Sequence, residues 1–458
     1  MLDIPAQIKR QRVFFWSGKT HKVSFRIDAL QKLKRAIVAN EREICAALGQ
    51  DIGKPELEAV VSEIALVTRE IDFICRHLRR WARPQRVRTS LLNAPAKGSV
   101  RCQPLGVALI ISPWNYPFQL LLSPLVGALA AGNCALLKPS ELTVHTSAVV
   151  SRIIAETFPP EYVCVMQGGP ELAQTLLDEH FDIIFFTGST RVGRLVMQAA
   201  ARHLTPVILE LGGKSPAIVD ADADLAMAAR RIVWGKFFNA GQTCVAPDYL
   251  LVHEDVKQSL LDRMAARITE CYGTAPQQSP DYSRIVNVAH LDRLAAYLAD
   301  GTIFAGGELD RDTRYLAPTI LDGVSWHSPV MQEEIFGPIL PVLSFNDNDD
   351  VLELTSRHPT PLALYYFSQD PEKQRRIMTA GAFGGGCVND SIIHLTEHHL
   401  PFGGVGTSGQ GRYHGKASFE AFSHCKSILE RGTWLDLPLR YPPYTGKLKW
   451  LKALFRWF

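Results

Sequence analysis

One cysteine stands out among the residues that could do chemistry. Cys244 follows Gly241, Gln242 and Thr243 in the stretch FFNAGQTCVAP, residues 237–247. A glycine near a thiol lets backbone amides approach it, and the helix-forming residues before it could aim a helix end at it. Both effects lower the pKa of a thiol and make it more reactive. The alternative is a small buried side chain that only packs, as free cysteines commonly do.

A carboxylate, Glu210, ends an apolar run and comes just before Gly212 and Gly213 in LELGGKSP, residues 209–216. A buried carboxylate is costly unless it is used or paired. Removal from water raises its pKa, which suits a general base. The alternative is a structural ion pair.

An amide, Asn115, lies in PWNYPF, residues 113–118, between bulky aromatic residues and two prolines. The prolines stiffen the loop, and the aromatic residues form a wall that excludes water. A rigid amide donor in such surroundings suits an oxyanion hole. The alternative is an asparagine that satisfies its own turn.

Two short stretches indicate nucleotide binding, each weakly by itself. FFTGSTRVG, residues 185–193, places glycines between a predicted strand and a predicted helix, where helix N-terminal amides could meet a phosphate or ribose. It is not a G-x-G-x-x-G fingerprint, and a structural turn is the alternative. KPSE follows another strand, so Lys138 and Glu141 could hold ribose hydroxyls or form a solvated turn.

A third stretch, EEIFGP, places Glu334 two residues before Phe336. On an extended segment these two side chains face the same side. They could then grip a ribose and a flat ring.

The elements that must position these residues follow from the apolar pattern. Residues 20–80 have helical spacing. From residue 107, five apolar runs recur about every 25 residues with helical segments between them, and a second alternating region starts near residue 215. This pattern predicts parallel sheets covered by helices, in two α/β domains in series.

Composition excludes several classes of protein. The 458 residues are 47% hydrophobic and 21% charged, which is typical of a globular protein with more than one domain. A net charge of +3 is too small to indicate a nucleic-acid partner. Nine scattered cysteines without a C-x-x-C pair make a disulfide framework or zinc site unexpected and favour a reducing cytosol. The N-terminus lacks a secretory pattern, and no apolar run reaches the roughly 20 residues of a membrane span.

Taken together and in order, the motifs resemble the NAD(P)-dependent aldehyde dehydrogenase superfamily, from about residue 20 to residue 443. The matching stretches are PWNYP, KPSE, FTGSTRVG, LELGGKSP, NAGQTCVAP, EEIFGP and LPFGGVGTSGQG. The region NDSIIHLTEHHLPFGGVGTSGQGRYHGKASFEAFSH and the stretch LRYPPY are similar to the class-3 branch, which handles aromatic and fatty aldehydes. The resemblance implies an α/β aldehyde dehydrogenase fold with a Rossmann-like cofactor domain, an α/β catalytic domain and a small β oligomerisation element.

The resemblance also implies roles in catalysis. Cys244 would attack the aldehyde carbon, and the Asn115 amide with the Cys244 backbone N–H would hold the oxyanion. After hydride transfer, Glu210 would activate the water that hydrolyses the thioester. The expected substrate is a medium- or long-chain aliphatic, an aromatic or an apocarotenoid-like aldehyde.

The implied cofactor is NAD, with NADP as an alternative, and no metal is expected. Glu334 would fix the nicotinamide ribose with Phe336 beside the ring, and Lys138 and Glu141 would bind the adenosine ribose. A carboxylate at Glu141 repels a 2′-phosphate, which favours NAD. The remaining cofactor contacts expected are Trp114, Gly188, Ser189, Gly193 and Leu211.

The resemblance predicts a domain division and a homodimer. The expected segments are a cofactor domain at 1–83 and 103–209, a catalytic domain at 210–415, an oligomerisation element at 84–102 and 416–440, and a basic amphipathic tail at 441–458. The tail stretch GKLKWLKALFRWF predicts a helix that either lies in a membrane interface or packs on protein. The expected localisation is cytoplasmic, with peripheral membrane attachment in the first case.

Two rival functions share this scaffold. Aldehyde dehydrogenases that acylate coenzyme A have the same cysteine but typically lack a glutamate at the position of Glu210, so its presence favours hydrolysis. A catalytically silent structural protein is the second rival, and the intact set of Cys244, Asn115, Glu210 and Glu334 argues against it.

Overall fold

The structure is a computed structural model that describes residues 3–90, 93–346 and 348–455. The chain forms two compact units. One runs to Trp81 and resumes over Pro104–His424, and the other contains Ala82–Gln103 and the residues from Cys425 onward. The first unit includes both large sheets, so the division into a cofactor domain and a catalytic domain stays a prediction.

The helices and strands alternate over most of the chain. The helices are α1 Ile4–Trp16, α2 Val23–Ala39, α3 Glu41–Ile52, α4 Glu56–Ala59, α5 Ala65–Trp81, α6 Gln119–Ala131, α7 Val144–Thr157, α8 Pro170–Asp178, α9 Thr190–Ala201, α10 Leu225–Phe237, α11 Glu254–Tyr272, α12 Val288–Ala296, α13 Asn348–Ser356, α14 Pro371–Ala380, α15 Gly415–Ala421 and α16 Lys447–Phe455. The strands are β1 Gln85–Val87, β2 Lys97–Pro104, β3 Val107–Ile111, β4 Cys134–Lys138, β5 Val163–Val165, β6 Ile183–Thr187, β7 Val207–Glu210, β8 Pro216–Val219, β9 Tyr249–His253, β10 Thr302–Ala305, β11 Leu309–Asp310, β12 Tyr315–Leu316, β13 Thr319–Asp322, β14 Ile339–Phe345, β15 Ala363–Phe367, β16 Gly385–Val388, β17 Gly409–Gln410 and β18 Ser423–Glu430.

The N-terminal helices confirm the helical pattern predicted for residues 20–80. Leu30, Leu33 and Ile37 of α2 are fully buried at helical spacing. A π-helical turn, Val60–Ile64, joins α4 to α5, and such turns are frequent at functional sites. Helix α1 was not predicted; Asp3 caps it by accepting the Ala6 N–H at 3.1 Å.

The first large sheet positions most of the candidate residues. Its strand order is β17-β7-β6-β3-β4-β5, parallel except for the edge strand β17. Every residue of β3, β4 and β6 is buried, which explains their continuous apolar runs. Because the strands are parallel, the loops after β3, β4, β6 and β7 meet at one edge of the sheet.

The second large sheet has the order β10-β13-β14-β9-β8-β15-β16, and only β10 and β13 pair antiparallel. Five of its strands coincide with apolar runs recognised in the sequence. The predicted α/β class with parallel sheets is confirmed.

A small sheet of β1, β2 and β18 corrects one expectation. Cys102 of β2 and Cys425 of β18 form a disulfide, although the cysteine pattern predicted none. The two cysteines are 323 residues apart and meet only through strand pairing, which sequence spacing does not show. The cysteines therefore no longer argue for a reducing compartment.

The predicted C-terminal helix is present as α16. Leu448 and Trp450 on it are exposed, whereas Arg456, Trp457 and Phe458 lie outside the described residues. Within the described ranges, no helix is both long enough and apolar enough to cross a membrane.

Candidate active site

The candidate nucleophile follows a turn with an unusual backbone. After α10, Asn239 and Ala240 have φ of 54° and 52°, and Gly241 has φ of 72°. A Cβ on Gly241 would lie 2.3 Å from the Gly337 carbonyl oxygen, so this glycine permits a close backbone approach. The packing of Gly241 is thus explained by the Gly337 backbone, and the amides that lie near the thiol are those of Cys244 and Val245.

The thiol of Cys244 is partly buried. Burial, followed by the negative charges of Glu334 and Glu210, raises its pKa above the ordinary value, and the backbone N–H groups of Cys244 and Val245 offset this only in part. The nearby amides do favour the thiolate, as the sequence suggested, but burial outweighs them, so the net pKa is raised and not lowered. The thiol therefore needs a base before it can attack.

Cys244 lies on the wall of a cavity of about 220 Å³. Most of the lining side chains are apolar, among them Leu66, Leu120, Trp234, Phe238, Ile392 and Phe402. Thr243 and Val245 flank the cysteine on the same wall. A thiol at the side of a large apolar cavity suits a reactive group carried by an apolar molecule.

Glu210, the last residue of β7, is 2% exposed. Its main-chain oxygen accepts the Gly188 N–H at 3.0 Å. Neither carboxylate oxygen has a hydrogen-bond partner within the described residues. Burial raises the pKa of this carboxyl well above its ordinary value, as the sequence predicted. The alternative of a structural ion pair is not what the described residues form, and the group has the surroundings of a general base.

Asn115 is buried in the loop after β3. Its Nδ2 donates to the main-chain oxygen of Gln242 at 2.9 Å, and its Oδ1 has no partner within the described residues. The amide thus bonds to the cysteine loop and not to its own turn. Nearby, the hydroxyls of Tyr116 and Thr243 are 2.6 Å apart, so two contacts join the loops. One N–H of the Asn115 amide remains for another acceptor.

Glu334 and Phe336 lie in a loop, and the reasoning from an extended segment is wrong for them. Phe336 has φ of 50°, which breaks the alternation of an extended chain. Its ring meets the Trp114 ring edge to face at 5.3 Å between centroids. A Cβ on Gly212 would lie 2.0 Å from Glu334 Oε2, so the carboxylate packs where only a glycine fits.

The charge of Glu334 is controlled by its neighbours. Burial, followed by the charge of Asp248, raises the pKa of Glu334 to about 8, against the Gly213 N–H, Lys214 and Arg293. The loop that contains Glu334 also packs against the buried Lys214–Asp248 ion pair.

Both residues of this ion pair form hydrogen bonds to the main chain of the loop. Lys214 Nζ donates to the main-chain oxygens of Val330 and Glu333 at 3.0 Å, and Asp248 Oδ1 accepts the Ile335 N–H at 2.9 Å. This supporting pair was not recognised in the sequence, where Lys214 was only part of a motif.

The loops after β4 and β6 contain the other predicted cofactor residues. Lys138 Nζ donates to Glu141 Oε2 at 2.7 Å; the lysine is buried and the carboxylate is 38% exposed. Ser189 caps α9 by accepting the Val192 N–H at 3.4 Å. An ammonium and a carboxylate side by side supply a donor and an acceptor for a ribose diol.

The glycines at this edge allow close packing. A Cβ on Gly193 would lie 2.7 Å from Leu211 Cδ2, and one on Gly188 would lie 2.5 Å from the Phe186 ring. Helix α9 therefore packs directly against the residues that follow β7. Its first-turn amides face the same edge as Lys138, as a phosphate site requires.

Sequence reasoning missed several residues of the cavity. Tyr413 is fully buried, and burial, with the charges of Glu210 and Cys244, raises its pKa well above the ordinary value. His414 also lines the cavity, and burial lowers its pKa to about 4. Both lie in the stretch GQGRYHGK, which contains no predicted site residue. No group of three or more metal-ligating side chains occurs in the part of the chain that the structure describes.

The fold and the sheet-edge loops are those of an oxidoreductase, and the comparisons agree. Residues 6–428 match the model of the aldehyde dehydrogenase family, and the chain belongs to this family. Its members oxidise aldehydes with NAD(P).

Individual relatives cover nearly the whole chain. The 4,4′-diaponeurosporen-aldehyde dehydrogenase of Staphylococcus aureus (strain NCTC 8325 / PS 47) is 48% identical over 97% of both chains. Aldehyde dehydrogenase family 3 member B1 of Homo sapiens is 45% identical over 96% of this chain and 94% of its own. A solved structure, the substrate-bound state of Staphylococcus aureus AldH, has a TM-score of 0.97 at 47% identity and covers 99% of this chain and all of its own.

Proposed function

We propose that this enzyme oxidises a long apolar aldehyde, aliphatic or apocarotenoid-like, to the carboxylic acid. The observation that carries the proposal is the position of Cys244 on the wall of a cavity of about 220 Å³ with mostly apolar lining. A relative that is 48% identical is named for a carotenoid aldehyde, which supports an apolar substrate of this kind.

Catalysis begins with the protonated thiol. Glu210 takes the proton from Cys244, either directly or through a water molecule. The sulfur then forms a bond to the aldehyde carbon while the carbonyl π electrons move to the oxygen. The free N–H of the Asn115 amide and the Cys244 backbone N–H donate to this oxyanion.

The second half of the reaction needs the dinucleotide, which accepts a hydride when bound. Loss of hydride from the tetrahedral carbon leaves a thioester on Cys244. Glu210 passes the thiol proton to solvent and then removes a proton from a water molecule, whose oxygen bonds to the acyl carbon. The carbon–sulfur bond breaks with its electron pair on the sulfur, and the sulfur takes the proton back from Glu210. A carboxyl group with no fixed hydrogen-bond partner is free to reorient between these two steps.

The residues of the sheet edge fit a dinucleotide. The Lys138–Glu141 pair would hold the adenosine ribose, the turn from Gly188 to Gly193 would meet the phosphates, and Glu334 with Phe336 would hold the nicotinamide ribose and ring. Because Glu141 engages Lys138 and is itself anionic, a 2′-phosphate meets repulsion there, which supports NAD over NADP.

A chain-length series tests the substrate class. Purified enzyme with NAD and aldehydes of increasing length, including a polyene, is followed by NADH absorbance. We expect kcat/KM to rise by about fourfold per buried methylene until the cavity is full, as a transfer free energy of about 0.8 kcal/mol implies. A flat or falling series contradicts the proposal. Added coenzyme A should leave the rate unchanged; acyl-coenzyme A formation would instead support the acylating rival.

A matched pair of tryptophan variants tests whether the cavity causes the dependence of kcat/KM on chain length. Trp234 lines the cavity and Trp16, on α1, does not. We expect Trp234→Ala to lower kcat/KM for the longest aldehyde by about tenfold and for the shortest by less than about twofold. Trp16→Ala should change neither. If Trp234→Ala lowered kcat/KM equally for the long and the short aldehyde, this side chain would not contact the substrate tail.

A further inference from the structure

The main chain of Asn115 is held by residues that no catalytic motif contains. Its carbonyl oxygen accepts from Lys54 Nζ at 3.1 Å and from Asn239 Nδ2 at 3.0 Å. With the side-chain bond to Gln242, three contacts fix one residue, and two of them come from the cysteine loop. Lys54 is the contact that comes from a different part of the fold.

Lys54 forms a fully buried ion pair with Glu63. The second oxygen of Glu63 accepts the N–H groups of Phe118 and Gln119 at 3.0 and 2.9 Å, at the start of α6. The Lys54 ammonium also lies 4.0 Å from the centre of the Tyr116 ring. The pair therefore holds the loop on both sides of Asn115.

Local structure explains how Glu63 reaches this position. It lies in the π-helical turn between α4 and α5, which changes the direction of its side chain relative to a regular helix. A second carboxyl group, Glu58, is close to Lys54 electrostatically and accepts the Asn239 N–H at 3.1 Å. Burial raises the pKa of Glu58 to about 7. Lys54 is thus the cation between two acids that each hold one of the two loops.

Stability alone does not account for a charged pair at this place. Desolvation offsets most of the attraction of a buried ion pair, and well-packed apolar replacements are often as stable. The hydrogen bonds of this pair are instead directed at the peptide that carries the proposed oxyanion donor. A donor displaced by about 1 Å can lower a rate by about 100-fold.

We propose that Lys54 and Glu63 are positioning residues for the reaction, which fix the Asn115 loop so that its free amide N–H is aimed at the developing oxyanion. Neither side chain touches the reacting atoms, and both act through Asn115. The inference rests on the proposed role of Asn115 as an oxyanion donor.

The first variant removes the ion pair and its contact with Asn115 but keeps side chains of similar size. In Lys54→Met with Glu63→Gln, methionine replaces the lysine stem, and the glutamine oxygen still accepts from the start of α6. We expect the burst rate of NADH formation to fall by about 10- to 100-fold, with KM for the aldehyde within about threefold. The midpoint of thermal unfolding should stay within about 4 °C of the parent. A burst rate within about twofold of the parent overturns the proposal.

A double-mutant cycle separates positioning from a general structural role. In an Asn115→Ala background, the Lys54→Met/Glu63→Gln change should have almost no further effect on the burst, since its target is gone. Equal losses in both backgrounds would overturn the proposal. If Asn115→Ala alone leaves the burst unchanged, it is the proposed function of Asn115 that fails. If Asn115→Ala slows the burst and the pair variant does not, only the positioning inference fails.

Two further variants complete the test. Lys34→Met with Asp72→Asn removes an ion pair between α2 and α5, and it should leave the burst unchanged. Asn239→Gly suits the positive φ at that position and removes the other donor to the Asn115 carbonyl without altering the ion pair. It should slow the burst in the parent and not in Asn115→Ala. This variant decides the question if the pair variant fails to fold, and an unchanged burst in it would then overturn the proposal.

Discussion

Replacement of Glu210 by glutamine tests the second half-reaction, which is hydrolysis of the thioester. Neither carboxylate oxygen bonds to a described residue, so the amide removes no internal hydrogen bond. Burial raises the pKa of this carboxyl, and the amide has nearly the same shape. We expect the free energy of unfolding to change by less than about 1 kcal/mol.

The kinetic effect should be much larger. A positioned general base contributes about 10²- to 10⁴-fold to a rate, which is about 2.7 to 5.4 kcal/mol of barrier. Deacylation should slow by this factor in Glu210→Gln. Hydride transfer should slow less, since loss of the negative charge near Cys244 lowers the pKa of the thiol and offsets part of the loss of a base.

Stopped-flow absorbance with excess NAD and aldehyde separates the two steps. We expect a burst of about one NADH per site followed by a slow steady state. In the parent, deacylation should increase with pH through the raised pKa of Glu210, because only the deprotonated carboxylate accepts a proton; the variant should lose this increase. Glu308→Gln, an exposed substitution, is the control. Equal slowing of burst and steady state would refute this role for Glu210.

Four other outcomes are expected. Cys244→Ala should abolish oxidation and keep NAD binding, as measured by calorimetry; residual turnover above a few per cent would contradict its role as nucleophile. Gly212→Ala should raise KM for NAD by about tenfold with little change in unfolding, because the added Cβ would lie 2.0 Å from Glu334 Oε2 and displace it; an unchanged KM would separate Glu334 from the cofactor. Light scattering should give about twice the 50.9 kDa of one chain, and a monomer mass would disprove the homodimer. Deletion of residues 446–458 should lower activity on long aldehydes more than on short ones and weaken binding to anionic vesicles, whereas no change in either would leave the tail as a packing element.

The parallel-sheet fold was predictable because its strands are buried on both faces. Runs such as those of β3, β4 and β6 are continuous in the sequence and bounded by helical segments. Short strands were missed: β13 and β16 contain four residues each and lack a distinct apolar run. The pairing of Cys102 with Cys425 was also missed, since it depends on a contact between distant strands.

The candidate site was predictable where residues follow strands. Asn115, Lys138 and Glu210 come after parallel strands of one sheet, and parallel strands bring their carboxyl ends together. Lys54 and Glu63 could not be found in this way. They lie in a mainly helical region that is rich in charged residues, which is typical of exposed segments. The extended geometry assumed for Phe336 failed because a positive φ in a non-glycine residue has no signal in the sequence.

The apolar cavity and the acids near Cys244 have a consequence for product release. The substrate enters with a neutral head and leaves as an anion, which the buried site disfavours just as it raises the pKa of Glu210 and Glu334, so the product head favours release to water. The tail remains bound to the same apolar wall throughout. Release should therefore be fast for short acids and slower by up to about fourfold for each additional buried methylene. Long-chain acids should then inhibit the enzyme as products, and at sufficient length departure of the product becomes the step that limits turnover.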